Sequence, residues 1–176
     1  MSAAAEDPSH ALLHKAQELG HESRARLDDH ASLKLWLRLL ACTTQLETEV
    51  RRRLRQRFGI SLARFDYMSQ LYRHPEGLRM KALSQSLMVT GGNVTGLTDE
   101  LERDGLVRRE QDAQDRRSSV VHLTTRGRRA FEEMAQEHER WIRQLIGGLD
   151  PETVQQLYRS LGALRVQLLG QIRQDS

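Results

Sequence analysis

The chain has 176 residues, enough for one domain or two small ones sharing a core. With 38% hydrophobic and 29% charged residues it should fold beneath a wet surface, and no apolar run approaches the roughly 20 residues that a membrane helix needs. The single cysteine, Cys42, excludes an internal disulfide framework; the first thirty residues lack the charged-then-apolar pattern of a secretory signal, so the expected location is the cytoplasm.

Residues 1–8 are expected to be disordered, and Leu12, Leu13, Ala16 and Leu19 predict a short amphipathic helix ending near Gly20. His10 and His14 stand four apart, a spacing able to hold zinc on one helical face, with His21 and His30 downstream. No cysteine or carboxylate completes that set, so no metal is assigned. From Leu33 to Phe58 the apolar residues Trp36, Leu39, Leu40, Leu46, Val50 and Leu54 recur at helical spacing. Gly59 ends that helix, and Ser61 caps the next, which runs through Phe65, Met68, Leu71 and Tyr72 until "RHPEG" stops it.

Two short helices follow, Met80 to Leu87 and Gly91 to Asp104, about a tight corner "MVT". The period then changes: "LVRRE" and "VVHLT" read as two strands joined by the polar loop "QDAQDRRSS". Thr124 or Thr125 caps a long helix through Phe131, Met134, His138, Ile142 and Leu145, which Gly147 and Gly148 break. Asp150 and Pro151, an N-cap acid before a proline in the first helical position, open the last helix. Its Val154, Leu157, Leu161, Leu164 and Leu168 step by three, four, three and four, the narrow seam used between helices. That seam serves either packing against the first helices of the same chain or a two-fold dimer, and the dimer is the expectation.

The stretch "VTGGNVTGLTDELERDG" raises a physical question. Glycine inside a helix is about 1 kcal/mol worse than alanine, yet Gly91, Gly92 and Gly96 fall within six residues, among Thr90, Asn93, Thr95 and Thr98. A helix start this bare suits close approach of phosphates to free amides at the positive end of the helix dipole. Small polar side chains there can hydrogen-bond base edges. Two short helices followed by a hairpin make a winged helix-turn-helix, whose second helix enters the major groove while the hairpin tip reaches the adjacent backbone or minor groove. Arg116 and Arg117 sit at that tip, where Asp115 orients an arginine, chiefly Arg117, by a charge-assisted bond. The DNA-contacting set is therefore Thr90, Gly91, Gly92, Asn93, Thr95, Thr98, Arg103, Arg116 and Arg117. Between Arg103 and Arg129 there are eight arginines against four acids. A second basic run, Arg51, Arg52, Arg53, Arg55 and Arg57, is either a solvated helix end or a surface for DNA or a nucleotide-bearing ligand. "TGGNVTG" lacks the Gly-Lys-Ser/Thr ending of a phosphate-cradling loop, and no catalytic triad or paired carboxylates stand out, so neither an enzyme nor a bound cofactor is expected. A winged helix used for protein contacts would carry apolar anchors in place of this polar start.

From about Leu33 to Leu168 the chain resembles the MarR family of bacterial transcriptional regulators, on "GNVTGLTDELERDGLVRRE" and "DAQDRRSSVVHLTTRG". Asp115, Arg117, Leu123, Thr124 and Gly127 meet the family's wing pattern. The resemblance implies a mainly α protein with a small β-hairpin: residues 59–124 a winged helix-turn-helix DNA-binding domain, 31–58 and 125–176 a helical dimerisation region, and 1–30 an extension. It implies a homodimer on a pseudo-palindromic operator of double-stranded DNA, repressing until a small ligand or an oxidant releases it. "LWLRLLACT" and "SLARFDYM" resemble a subgroup that controls breakdown of aromatic acids, phenolic acids or their coenzyme A thioesters. Trp36, Arg38, Arg64, Phe65 and Tyr67 are the expected ligand set, the arginines taking a carboxylate and the rings the apolar part. Arg38 has a second reading, an ion pair with an acid such as Asp66. Cys42 lies in an apolar run with no adjacent cation and about a turn beyond the family's sensing cysteine, so a buried, inert thiol is expected and redox sensing is the alternative.

Overall fold

The structure, a computed structural model, describes residues 31–87, 91–111 and 119–174. The expected disorder and short helix near the start, His10, His14, His21 and His30, the "MVT" corner and the hairpin tip lie outside the described residues.

Helix α1 (Ala31–Phe58) spans 28 residues, but only its second half reaches the core, where Val50 and Leu54 are buried. Leu33, Leu35, Trp36 and Leu40 on its first half are exposed. Ser61 accepts a hydrogen bond from the Arg64 amide at 3.3 Å and so caps α2 (Leu62–Arg73), whose Phe65, Tyr67, Met68 and Leu71 are buried. Strand β1 (Leu78–Arg79) comes next, then the helices α3 (Met80–Leu87) and α4 (Gly91–Arg103). β2 (Val107–Gln111) and β3 (Ser119–Leu123) pair antiparallel, with Val107 opposite Leu123 and Gln111 opposite Ser119. The hairpin expected to have two strands belongs to a three-stranded sheet in the order β1-β3-β2, with Leu78 opposite Val121. A strand of two residues is too short to leave an alternating pattern in the sequence.

The corner between β3 and α5 (Thr125–Ile146) is clamped onto the end of α4. Thr124 caps α5 by accepting from the Gly127 amide at 2.9 Å, donates its hydroxyl to the Gly105 carbonyl at 2.8 Å, and donates its amide to the Leu106 carbonyl at 3.0 Å. Gly105 makes the turn in the left-handed region, at φ 69°. Gly127 is required for a different reason: a Cβ there would stand 1.9 Å from the Leu106 carbonyl oxygen. α6 (Pro151–Gln174) starts as the sequence predicts, the Asp150 carboxylate accepting from the Thr153 amide at 2.9 Å and from its hydroxyl at 2.6 Å. Those two bonds hold the Asp150 carboxyl below its ordinary range.

One continuous core joins the end of α1 to α2–α5 and the sheet. Its aromatic centre stacks Phe131 on Tyr72 at 4.9 Å and on Phe65 at 5.4 Å, with His138 5.0 Å from Phe65. Burial lowers the His138 imidazole pKa. From Pro151 to Gln171 no residue of α6 is buried. No helix among the described residues is long and apolar enough to cross a membrane.

Candidate nucleic-acid interface

Helix α4 has two unlike faces. Val94, Leu97, Thr98 and Leu101, at the spacing of one helical stripe, are buried, while Asn93, Thr95 and Gly96 are exposed. A Cβ added to Gly96 would meet nothing within 4 Å. Gly91 and Gly92 form the first turn, and Val94, Leu97 and Leu101 hold the helix to the core.

Thr98 is a correction. It was expected among the DNA-contacting residues, yet it is 0% exposed and belongs to the core. Its hydroxyl donates to the Val94 carbonyl at 2.7 Å and therefore accepts from the Tyr67 hydroxyl at 2.6 Å. Burial pushes the Tyr67 phenol up to about 12, against a smaller downward pull from Thr98. The pair ties α4 to α2 through two satisfied polar groups in an apolar surround, where an unmade bond would be expensive.

A second tie runs to the sheet. The Arg109 guanidinium on β2 pairs with Asp99 and stands 3.2 Å from Glu102, whose carboxylate also accepts the Arg109 amide at 3.1 Å. One wing strand thus neutralises two acids of α4 that would otherwise repel a phosphate backbone. The sequence reading missed Arg109; the available signal was the i, i+3 spacing of Asp99 and Glu102 on one helical face.

Arg103 does not join the helix start. It ends α4, about 18 Å along the axis from Gly91, and lines a cavity of about 460 Å³ between the α1–α2 junction, the end of α4 and the start of α5. Arg64 and Asp104, an ion pair, line the same cavity. Thr90, Asp115, Arg116 and Arg117 lie outside the described residues.

The expected ligand set is not brought together within the chain. Trp36 and Arg38 are exposed on the first half of α1, Phe65 and Tyr67 are buried in the core, and only Arg64 lines the cavity. Phe65 and Tyr67 belong to the core, and periodicity alone does not separate a core face from a pocket wall. Cys42 is likewise exposed, against the expectation of a buried thiol: the apolar run around it lies on the half of α1 that the other described residues leave uncovered. The seam of α6 is also uncovered, with Val154, Leu157, Leu161 and Leu168 exposed and Leu164 half-buried.

The basic run on α1 is largely neutralised by its own chain. Arg51 pairs with Glu47, Arg52 and Arg53 both reach Glu49 at 2.6 Å, and Arg57 stands 3.4 Å from Glu137. Hydrogen bonds from Arg52 and Arg53 hold the Glu49 carboxyl down to about 2. This pairing favours a solvated helix end over a surface for an anion.

Two short helices, the second with a glycine-rich start and with Asn93, Thr95 and Gly96 exposed, braced by a three-stranded sheet, define a winged helix-turn-helix protein. The sequence profile of the MarR family matches residues 60–119. A solved MarR family transcriptional regulator from Silicibacter pomeroyi is 33% identical, with a TM-score of 0.66, over 82% of this chain and 99% of that one. The chain belongs to the MarR family of transcriptional regulators. It is also 34% identical, over 100 residues and 56% of its length, to the uncharacterised HTH-type transcriptional regulator YkoM of Bacillus subtilis. The chain spans 64% of YkoM, under two thirds of that relative's length. The S. aureus MepR–DNA complex has a TM-score of 0.63 at 25% identity, over 73% of this chain and 94% of MepR.

Proposed function

We propose that the chain is a homodimeric repressor that binds a pseudo-palindromic operator in double-stranded DNA and leaves it when a small aromatic carboxylate or phenolic effector, or its coenzyme A thioester, binds. The observation that carries this reading is the bare first half of α4. Asn93, Thr95 and Gly96 are exposed on a helix whose other face is anchored by Val94, Leu97 and Leu101. Such a start lets backbone amides reach phosphates and lets short polar side chains reach base edges. The solved complex of MepR with DNA supports the same use of the fold. Gly91, Gly92, Asn93 and Thr95, with Thr90, Arg116 and Arg117, are the proposed contacts, and Asp115 orients the wing arginine. Thr98 and Arg103 leave that set, the first as a brace and the second as a cavity residue.

Residues 59–124 are then the reading lobe, and 31–58 with 125–176 the dimerisation region. The uncovered seam of α6 and the exposed leucines on the first half of α1 support a second copy as the partner. A second reading, repression released by oxidation, is favoured by the exposure of Cys42.

The test is fluorescence anisotropy on the duplex upstream of the protein's own gene, with benzoates, hydroxycinnamates and their coenzyme A thioesters added in turn and peroxide as a separate arm. Release by an aromatic compound supports the effector reading. Release by peroxide alone, abolished in Cys42→Ser, replaces it with the redox reading, and no release by any of them removes the effector from the proposal.

A further inference from the structure

We propose that Tyr67 and Thr98 are positioning residues for the reading of DNA: their buried hydroxyl relay fixes the rotation of α4 about its own axis, and with it the aim of Asn93 and Thr95. This rests on the reading of α4 as the helix that meets duplex DNA, and it assigns part of the sequence preference to residues that touch no base.

The argument starts from how the reading half is held. Gly91, Gly92 and Gly96 give the start of α4 little helical preference of its own. A Cβ at Gly96 would meet nothing within 4 Å, so crowding does not explain that glycine. Val94, Leu97 and Leu101 bury one face of the helix. Burial sets how deep a helix sits, but it is non-directional, and a helix held by burial alone is free to rock about its axis. At a side-chain radius of about 5–6 Å, a rotation of about 20° carries a tip about 2 Å. That is more than a hydrogen bond to a base edge tolerates.

Thr98 supplies the missing direction. Its hydroxyl lies where three helices meet: it accepts from the Tyr67 hydroxyl of α2 at 2.6 Å, donates to the Val94 carbonyl of α4 at 2.7 Å, and has the Met80 sulfur of α3 at 3.6 Å. Both side chains are fully buried, so water does not compete for these bonds. The bond to the carbonyl four residues back selects one rotamer of a β-branched side chain, which points the oxygen at Tyr67. The relay therefore runs from α2 through Thr98 to a carbonyl inside the weak half, on the residue between Asn93 and Thr95.

Stability does not account for the pair. Two apolar groups of the same shape would serve the core nearly as well, because a buried hydrogen bond becomes expensive only when one partner is missing. What an apolar pair lacks is a preferred angle.

The experiment measures two quantities for each full-chain variant: the denaturation midpoint, and the ratio of affinities for the duplex upstream of the protein's own gene and a scrambled duplex. Tyr67→Phe combined with Thr98→Val keeps the shape and removes both hydroxyls. Its midpoint should stay near that of the natural chain while the ratio falls about tenfold, the scale of one lost base contact. Thr98→Ser keeps the hydroxyl and loses a methyl, so its midpoint should fall while the ratio holds. A ratio unchanged in the double variant overturns the proposal. Should that variant fail to fold, Thr98→Ser against Thr98→Val makes the same comparison, and equal ratios in those two overturn it. A natural chain that binds both duplexes equally sinks the regulator reading and this one with it, whereas a preference that survives loss of both hydroxyls sinks the positioning role alone.

Discussion

Helices α5 and α6 are alike in length, 22 and 24 residues, and both carry an apolar stripe, yet the chain treats them in opposite ways. On α5 the stripe lies inside: Phe131, Met134 and Trp141 are buried, Phe131 and Met134 each contributing about 1.5–3 kcal/mol by removal from water. On α6 the stripe of Val154, Leu157, Leu161 and Leu168 stays at the surface. Burial depends on whether a second surface is supplied, and for α6 none of the described residues buries the seam. An apolar seam that a folded chain leaves open is a statement about a partner. The first half of α1 repeats the lesson, and its neighbouring Cys42 is exposed for the same reason.

The comparison can be broken by substitutions on each helix. The largest effect is expected from Leu161→Glu, which sets a charge in the open seam. Sedimentation should show a monomer, and duplex affinity should fall by about 10²–10⁴-fold as two linked half-site contacts become one. A stable dimer in that variant moves the interface off α6. Phe131→Ala should act on the other side of the contrast, lowering unfolding free energy by about 3–5 kcal/mol in chemical denaturation while leaving the oligomeric state of the folded protein unchanged.

Smaller effects sharpen the account of α4. Tyr67→Phe removes the donor to the buried Thr98 hydroxyl and should lower stability by about 1 kcal/mol. It should also change the alkaline limb. The Tyr67 phenol titrates near 12 when folded against 10.0 otherwise, so folding favours the protonated form; that stability is complete below pH 10 and is lost as pH rises toward 12. A melting curve across that window should decline less in Tyr67→Phe than in the natural chain. The smallest effect belongs to His138, whose neutral form burial favours. Its contribution is present above its ordinary value of 6.5 and is lost as pH falls below it. His138→Gln should flatten that part of the acid melting curve, and an unaltered slope would remove His138 from the account.

Much of this architecture is legible along the chain because its signals are local. Ser61, Thr124 and Asp150 announce helix starts by side-chain chemistry, and Gly59 and Gly147 mark where the periodic runs stop. The site was less legible. The Thr98 hydroxyl suits a DNA contact, but positions 94, 97, 98 and 101 form a single helical stripe and its neighbours on that stripe are apolar. Position outweighed polarity there, and Tyr67 supplies the partner that makes a buried hydroxyl tolerable. Phe65 and Tyr67 fit a pocket wall as well as a core by sequence, because a core ring and a ligand-facing ring have the same spacing. The Arg64–Asp104 pair joins residues 40 apart in sequence, and Arg109 meets α4 only because β2 folds back beside it; neither leaves a periodic trace.

The central claim is that the bare start of α4, presented twice by a dimer, reads duplex DNA. Its most direct test is the affinity of the full chain for the duplex upstream of its own gene and for a scrambled duplex, measured over a range of salt. The account predicts preference for the natural duplex, two protomers per duplex, log affinity falling linearly with log salt, and a clear loss in Asn93→Ala with the dimer intact. Equal binding of both duplexes, or an Asn93→Ala protein that binds as well as the natural chain, would contradict it.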